Sequence, residues 1–286
     1  MMAAFAVGTA DAQLTVDGNL SVVEDQETLD GVVFYGTFDG SSTIPVTGAG
    51  TRFMWYPKKA ALRAGKVTGT QWDDGNIGEH SVALGFNTRA RSASSVALGH
   101  GTVAWSGTGS VALGSFAWAS GEAAIAAGQW STVYGSGSVA LGIGSEIDGS
   151  NYSFAAGAYN WIEGEDNAVA IGRSNTVFGA DAIAIGRTSH ATAESAIALG
   201  RFVRSNVYGM LAVGLYNELM SGSSDSWVGT DPLFVIGNGT AFNERSNAMV
   251  VYKNADTELF GNLEVAGTVR IQPSGDIGMG QFTSEP

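Results

Sequence analysis

The sequence contains no cysteine, only 5 prolines, and only 14 lysines and arginines against 27 aspartates and glutamates among its 286 residues. The absence of cysteine excludes disulfides, thiolate nucleophiles and thiolate metal sites. Nucleic acid is an unfavourable partner, because a chain of net charge -13 has little to neutralise a phosphate backbone. No apolar run approaches the roughly 18 residues that a membrane helix needs, so we predict no transmembrane segment.

Glycine, in contrast, is abundant, with 41 residues in a chain that is 44% hydrophobic. This combination is typical of many tight turns between short buried strands. The pentapeptide SVALG occurs four times, at residues 81–85, 95–99, 110–114 and 138–142. An ordinary core needs no such regularity, so the repeat predicts stacked structural units.

The glycine that closes each pentapeptide, here called the anchor glycine, recurs every 14 or 15 residues. The anchors are Gly85, Gly99, Gly114, Gly128, Gly142, Gly157, Gly172, Gly186, Gly200 and Gly214, and a late copy ends at Gly237. A second glycine often follows seven residues after an anchor, so each unit should contain two short strands with a turn after each. Fourteen residues enclose only a flattened roll of two parallel sheets, with coils about 4.8 Å apart.

The SVALG strand is apolar on both faces. Side chains alternate along a strand, so its Val and Leu should point to one face and its Ala to the other. A strand buried on both sides needs two partners, and we expect the small Ala row to face another copy of the chain. The predicted core of this homo-oligomer comprises Val82, Ala83, Leu84, Val96, Ala97, Leu98, Val111, Ala112, Leu113, Val139, Ala140, Leu141, Ile183, Ala184 and Ile185.

The second strand of each unit is apolar on one face only. Its predicted inward residues lie five positions past an anchor and are Ala90, Ala104, Ala119, Val133, Ile147, Ile162, Val177 and Ala191. The outward neighbours include more aromatic side chains than a solvent face requires, namely Trp105, Trp118, Tyr134, Trp161 and Phe178. These rings either stack on sugar rings or protein side chains, or pack across the corners of the roll.

Arg173, Arg187 and Arg201 each follow an anchor glycine directly, so they should form a ladder of like charges. Such a ladder could cradle an anionic ligand such as a sulfated or sialylated glycan. The alternative is that Asp181, Glu194 or acids of a neighbouring chain neutralise it.

The tandem S-V-A-L/I-G units resemble the head repeats of trimeric autotransporter adhesins of the YadA-like type, over about residues 77 to 216 and at most to 240. The resemblance implies a left-handed parallel β-roll, an obligate homotrimer, a location on the surface of a Gram-negative bacterium or outside it, and adhesion to host or matrix molecules. A complete adhesin of this type continues into a coiled-coil stalk and a membrane anchor. Neither pattern is evident here, which favours a released fibre or an isolated segment.

Four regions are expected along this all-β chain. Residues 1–13 resemble a signal-peptide remnant, 14–76 form an N-terminal β region and cap, 77–240 form the roll, and 241–286 form a β-rich neck or tail. Within the cap, Pro57, an Ala-rich run and Gly65 predict one short helix. About nine residues around LMSGSSDSW, before the last coil, should form a loop.

The sequence contains few features that would support an enzymatic function. His80, His100 and His190 lack a metal-ligand spacing, and no hydrolase, phosphate-binding or metalloprotease motif occurs. We therefore expect a non-enzymatic adhesin head or fibre without a cofactor or metal, whose partners are itself and a glycan or matrix protein. A purely structural spacer and a glycan-degrading tail spike are the alternative hypotheses.

Overall fold

Short strands stacked in parallel make up most of the molecule. The computed structural model describes residues 22–23, 33–34, 36–39, 42–164 and 166–262. The expected signal remnant and the far C-terminal tail lie outside these residues. Within them the strands are numbered β1 to β26 in chain order, and the remaining regular structure is two 3-10 turns, Pro57–Lys59 and Asp74–Asn76.

The SVALG-type strands form one sheet of 15 strands. They are β3 Gly50–Tyr56, β4 Ala61–Val67, β5 Val82–Phe86, β7 Val96–His100, β9 Val111–Ser115, β11 Ile125–Gln129, β13 Val139–Ile143, β15 Phe154–Ala158, β17 Val169–Arg173, β19 Ile183–Arg187, β21 Ile197–Arg201, β23 Leu211–Leu215, β24 Pro232–Asn238, β25 Asn247–Tyr252 and β26 Thr257–Leu259. We call it the anchor sheet. From β4 to β24 every neighbouring pair is parallel.

The second strands of the repeats form an all-parallel sheet of 9 strands, the outer sheet. They are β6 Arg89–Ala90, β8 Val103–Ala104, β10 Trp118–Ala119, β12 Thr132–Val133, β14 Glu146–Asp148, β16 Trp161–Glu163, β18 Thr176–Val177, β20 His190–Ala191 and β22 Arg204–Ser205. A separate pair, β1 Val22–Val23 and β2 Val33–Phe34, is antiparallel. The predicted two-sheet parallel solenoid of 14 to 15-residue repeats is confirmed.

Small side chains fill the space between the two sheets. The eight residues predicted to point inward from the outer sheet are all fully buried. They meet the Ala of each SVALG unit, which is also fully buried. The repeat keeps Ala at that position from Ala83 to Ala212, whereas Arg63 and Val235 occupy it at the two ends of the stack.

Asparagines three positions past an anchor add a polar ladder to this interior. The Asn160 side-chain oxygen accepts hydrogen bonds from the backbone N–H and the side-chain amide of Asn175, both at 3.1 Å. The Asn175 amide in turn donates to the carbonyls of Ile171 and Gly186. Since each buried polar atom finds a partner in the next coil, the ladder fixes the vertical register of the stack.

Anchor glycines stack on one another with no room for a side chain. Gly142 has a φ of +117°, and a β-carbon placed on it would lie 1.9 Å from the carbonyl oxygen of Gly157 in the next coil. The same close approach recurs along the anchor column. Glycine is therefore required at this corner both by its backbone conformation and by the spacing of the coils.

The expected short helix around Pro57 is wrong. Residues 50–67 form an antiparallel hairpin whose strands are joined at the 3-10 turn. The second strand, with the sequence ALRAGKV, pairs in parallel with the first SVALG unit, so that Gly65 lies beside the anchor Gly85. The Ala-rich run is a degenerate repeat, and strand pairing overrides its helix propensity. Parallel stacking thus begins before residue 77.

The opposite end of the stack is built around the predicted loop. Residues between β23 and β24 form no strand, and Gly214 then pairs with Gly237 in parallel register. The buried Lys253 ammonium of the C-terminal hairpin lies 3.9 Å from Asp231 and over the rings of Tyr208 and Trp227. Lysine and aromatic contacts thus hold the loop against the hairpin that ends the described chain.

Candidate functional site

The outward face of the anchor sheet is a continuous apolar surface. The flanking residues of each SVALG unit, such as Val82 and Leu84, are only partly buried in the single chain. Within the coils of the roll, exposed large apolar side chains on this face include Leu141 (38%), Ile143 (44%), Ile171 (36%), Ile185 (39%) and Leu215 (47%). Parallel pairing aligns these side chains in columns along the roll. An apolar surface this regular is typical of an interface.

The expectation that the Ala row faces a second copy is wrong. Ala83, Ala97, Ala112, Ala140 and Ala184 are all fully buried inside the roll of their own chain. The Val, Leu and Ile members of the predicted oligomer core are the ones that point outward. The orientation is reversed because the inward residues of the outer sheet, which are as large as Ile147, leave room opposite them only for a small side chain such as Ala140. The larger Val, Leu and Ile side chains of the anchor sheet therefore point outward.

The predicted outward aromatics are brought together in pairs along the outer sheet. Trp105 and Trp118 have ring centroids 5.6 Å apart, and Trp161 and Phe178 are 5.3 Å apart with perpendicular rings. The Arg91 guanidinium lies 4.4 Å from the Trp105 ring. These rings contact side chains of neighbouring coils, while Tyr134, Trp161 and Phe178 remain exposed.

A second aromatic row, missed by the sequence reasoning, follows the corner after the anchor sheet. Phe86, His100, Phe116 and Trp130 stack in succession, with ring centroids 5.0, 4.7 and 4.3 Å apart. Trp130 is 55% exposed. The available signal was the recurrence of aromatic residues two positions past an anchor, as at Phe116 and Trp130.

The three arginines predicted to form a ladder are aligned on neighbouring strands. Arg173 lies beside Arg187 and Arg187 beside Arg201, and all three are exposed. No ion pair within the described part of the chain involves them. Asp181, one of the expected neutralising acids, instead accepts a hydrogen bond from the Asn167 amide. The ladder lies at the rim of the apolar face, since arginine occupies the outward position that follows the anchor glycine.

A cavity of about 440 Å³ lies between the Asp74–Asn76 turn and the first coils of the outer sheet. Lys59, Glu79, Arg91 and Trp105 are among its lining residues. Lys59 is already engaged, because its ammonium forms an ion pair of 3.2 Å with Asp74 and donates to two carbonyls. Basic and acidic groups thus share the cavity, and it does not select a ligand of one charge.

Arg63 lies at the N-terminal end of the roll, in the position that Ala occupies in later coils. It is fully buried, and its guanidinium donates to the carbonyls of Leu62, Ser81 and Ala90 and to the Ser81 hydroxyl. Burial lowers its pKa to about 10. Its role is structural, because its hydrogen bonds join β4 to Ser81 and to Ala90 of β6 from inside the roll.

A second group of basic and aromatic residues gathers at the C-terminal end of the outer sheet. We call His190, Arg204, Tyr216, Phe242 and Arg245 the C-terminal arginine cluster. His190 and Arg204 are paired on β20 and β22. The guanidinium carbons of Arg204 and Arg245 lie 5.6 and 5.3 Å from the same Phe242 ring. Sequence reasoning named only His190, although Arg204 lies one repeat later. Phe242 and Arg245 follow the loop and come near Arg204 only through folding.

Two further findings bear on the class of chemistry. Among the described residues no group of three or more His, Cys, Asp or Glu side chains is placed to hold a metal ion. Within the same ranges, the structure contains no apolar helix long enough to cross a membrane.

The architecture defines a class of protein, the parallel β-solenoids, in which each repeat contacts only its neighbours. Within that class the repeats match the YadA head domain repeat over residues 77–102, 106–129, 119–145, 165–187 and 179–202. In the part of the chain that these repeats cover, the roll is therefore similar to a YadA-like head. No curated protein matches the chain.

Proposed function

We propose that the protein is a non-enzymatic, exported adhesin head or fibre that works as a homotrimer at or outside the bacterial surface. The observation that carries this proposal is the exposed apolar face of the anchor sheet. Its side chains are aligned in columns over successive coils, whereas the outer sheet carries mixed polar, charged and aromatic residues. The proposal of three subunits rests on the similarity of the repeats to YadA head repeats.

Assembly through this face is energetically reasonable. Complete burial of an isoleucine or leucine side chain is worth about 1.5–3 kcal/mol, so covering the exposed 39% of Ile185 is worth about 0.8 kcal/mol. Similar side chains recur in every coil of the roll. The gain accumulates along the stack and should favour a stable oligomer with no folded single chain.

The same assembly leaves the outer sheet facing solvent in every subunit. Trp105, Trp118, Tyr134, Trp161 and Phe178 lie on this sheet, and we propose that it is the ligand-binding surface. Each contact can be weak, because three-fold display raises the effective concentration of the second and third contacts. The ligand classes that fit are glycans and matrix proteins.

The test is binding of the purified protein to a glycan array and to immobilised matrix proteins. We expect binding that weakens in Trp161→Ala, because this ring is 43% exposed. A matched control is Trp130→Ala, whose ring is 55% exposed at the corner after the anchor sheet and not on the outer sheet. Absence of binding to every surface would instead favour a structural spacer.

A further inference from the structure

We propose that the C-terminal arginine cluster, made by His190, Arg204, Tyr216, Phe242 and Arg245, binds an acidic saccharide through its sulfate or carboxylate group. This inference rests on the proposed adhesin function and names the ligand class and one place where it binds. The cluster differs from the exposed arginine ladder, which lies on the anchor sheet.

The cluster concentrates positive charge in an acidic chain. Arg204 and Arg245 approach the same phenyl ring, and the His190 side chain is paired in register with Arg204. Within the described ranges neither arginine nor the histidine forms an ion pair. The nearest acid in sequence, Glu244, accepts a hydrogen bond from the Thr240 hydroxyl. Like charges held together without a counter-ion indicate a place for an anion.

The fold fixes the arginines before any ligand arrives. One terminal nitrogen of Arg245 donates to the carbonyls of Phe202 and Asn217, each at 2.9 Å. The backbone of Arg204 exchanges two hydrogen bonds with the Asn217 side chain, at 2.7 and 2.9 Å. Anchored in this way, the Arg245 guanidinium loses little freedom on binding, and the backbone of Arg204 is fixed beside it. Their remaining N–H groups suit a planar or tetrahedral oxyanion.

Aromatic rings beside the arginines suit a sugar ring. Phe242 is 65% exposed, and Tyr216 lies 5.7 Å from the Arg245 guanidinium and stacks on Phe202 at 4.6 Å. An apolar ring next to fixed cations matches a saccharide, which offers an apolar face and a charged substituent to the same site. A free phosphate or sulfate ion would use only the cations.

The position of the C-terminal arginine cluster leaves it accessible to a ligand. His190 and Arg204 lie on the outer sheet, on the side of the roll opposite the exposed apolar face. Oligomerisation through the anchor sheet would therefore leave the cluster open.

The pKa of His190 can report whether an anion occupies the site. Burial, together with the nearby Arg204 and Arg245 guanidinium groups, lowers the pKa of His190. A bound anion would offset these positive charges, so the His190 pKa should rise when the site is occupied.

The experiment is an NMR titration of the His190 imidazole together with calorimetry, using the full chain. The probes are a sulfated heparin hexasaccharide, its desulfated counterpart that keeps the carboxylates, and inorganic sulfate. Arg204→Gln and Arg245→Gln should each weaken hexasaccharide binding about tenfold or more, the effect of losing one charge-assisted hydrogen bond. Arg187→Gln, which removes an equal charge from the ladder, should stay within about twofold of wild type.

Phe242→Ala provides a variant that should not disturb folding, because its ring is largely exposed, and it should weaken the hexasaccharide but not inorganic sulfate. Equal binding of the desulfated probe would assign the carboxylate as the recognised group. The proposal is overturned if neither saccharide binds, if inorganic sulfate binds as tightly as the hexasaccharide, or if Arg187→Gln weakens binding as much as Arg204→Gln.

Adhesion of protein-coated beads to matrix proteins, measured in parallel, separates the two proposals. Adhesion that persists in a protein that binds no acidic saccharide would overturn this site and leave the adhesin function standing. Loss of adhesion on every surface, with saccharide binding intact, would count against the adhesin function instead.

Discussion

Replacing one anchor glycine should break the stack at a defined coil. In Gly142→Ala the new β-carbon would lie 1.9 Å from the Gly157 oxygen, and the residue would be held at a φ of +117°. Both effects act on the same corner, because the backbone cannot change its conformation without moving the next coil.

The cost can be worked from these two terms. A side chain held in a sparsely populated backbone region costs about 1–3 kcal/mol. Overpacking that forces the backbone to shift costs about a further 1–3 kcal/mol. We therefore expect Gly142→Ala to lower the free energy of unfolding by about 4 kcal/mol, the middle of the combined range.

Gly149, in the other turn of the same coil, is a matched control. Its φ of +72° is within reach of other residues, and a β-carbon there would have nothing within 4 Å. Gly149→Ala should thus cost only about 1 kcal/mol. The assay is thermal unfolding followed by circular dichroism, where each kcal/mol corresponds to about 2 °C in a chain of this size. Equal melting temperatures for the two variants would refute the close-packed anchor column.

Three further predictions concern buried polar groups. Arg63→Ala should lower the free energy of unfolding by about 3 kcal/mol in a urea titration, because the buried hydrogen bonds of its guanidinium to Ser81 and Ala90 are lost and a cavity is left in its place; a change below about 1 kcal/mol would contradict that role. Asn175→Ala should cost about 2–3 kcal/mol, since the Ser189 N–H loses its acceptor, and hydrogen exchange should show faster opening there than in distant coils. The pKa of His190 is lowered in the folded chain, so the unfolded chain binds that proton first and stability should fall as pH decreases below about 6.5. The melting temperature of His190→Gln should depend less on pH in that range, and an unchanged profile would contradict this reasoning.

The period of the repeat was predictable because glycine spacing is set by the backbone alone. Each anchor, such as Gly142, must meet the next in the stack, and this requirement is visible in any linear sequence. The inward residues of the outer sheet were predictable for a similar reason, since strand alternation places them five positions past the anchor. Ile147 and Ile162 are both fully buried, as expected.

Alternation could not decide which side chains of the SVALG strand point into the roll, because both faces of the strand are apolar. The deciding quantity is the width of the roll, which depends on how two sheets pack and not on one strand. The space left opposite the inward residues of the outer sheet holds Ala83, whereas Val82 points outward and is only partly buried. The hairpin at residues 50–67 was missed because ALRAG departs from the repeat at its buried position, where Arg63 replaces Ala.

The sequence predicted the arginine ladder but not the C-terminal arginine cluster, for a physical reason. The ladder of Arg173, Arg187 and Arg201 follows from the period, because residues one repeat apart become neighbours. The C-terminal arginine cluster combines His190 and Arg204, which the period also makes neighbours, with residues of the segment that follows β24. No repeat spacing predicts the position of that segment. Phe242 and Arg245 reach Arg204 only once the loop has folded back.

The mass of the protein in solution tests the central claim, that the apolar face of the anchor sheet joins copies of the chain. In analytical ultracentrifugation the wild type should sediment at three times the 29.4 kDa of one chain. Ile185→Glu should fail to do so, because glutamates would be buried together in the interface, whereas Thr192→Glu on the outer sheet should keep the trimer. A folded, heat-resistant wild-type species of 29.4 kDa would contradict the account.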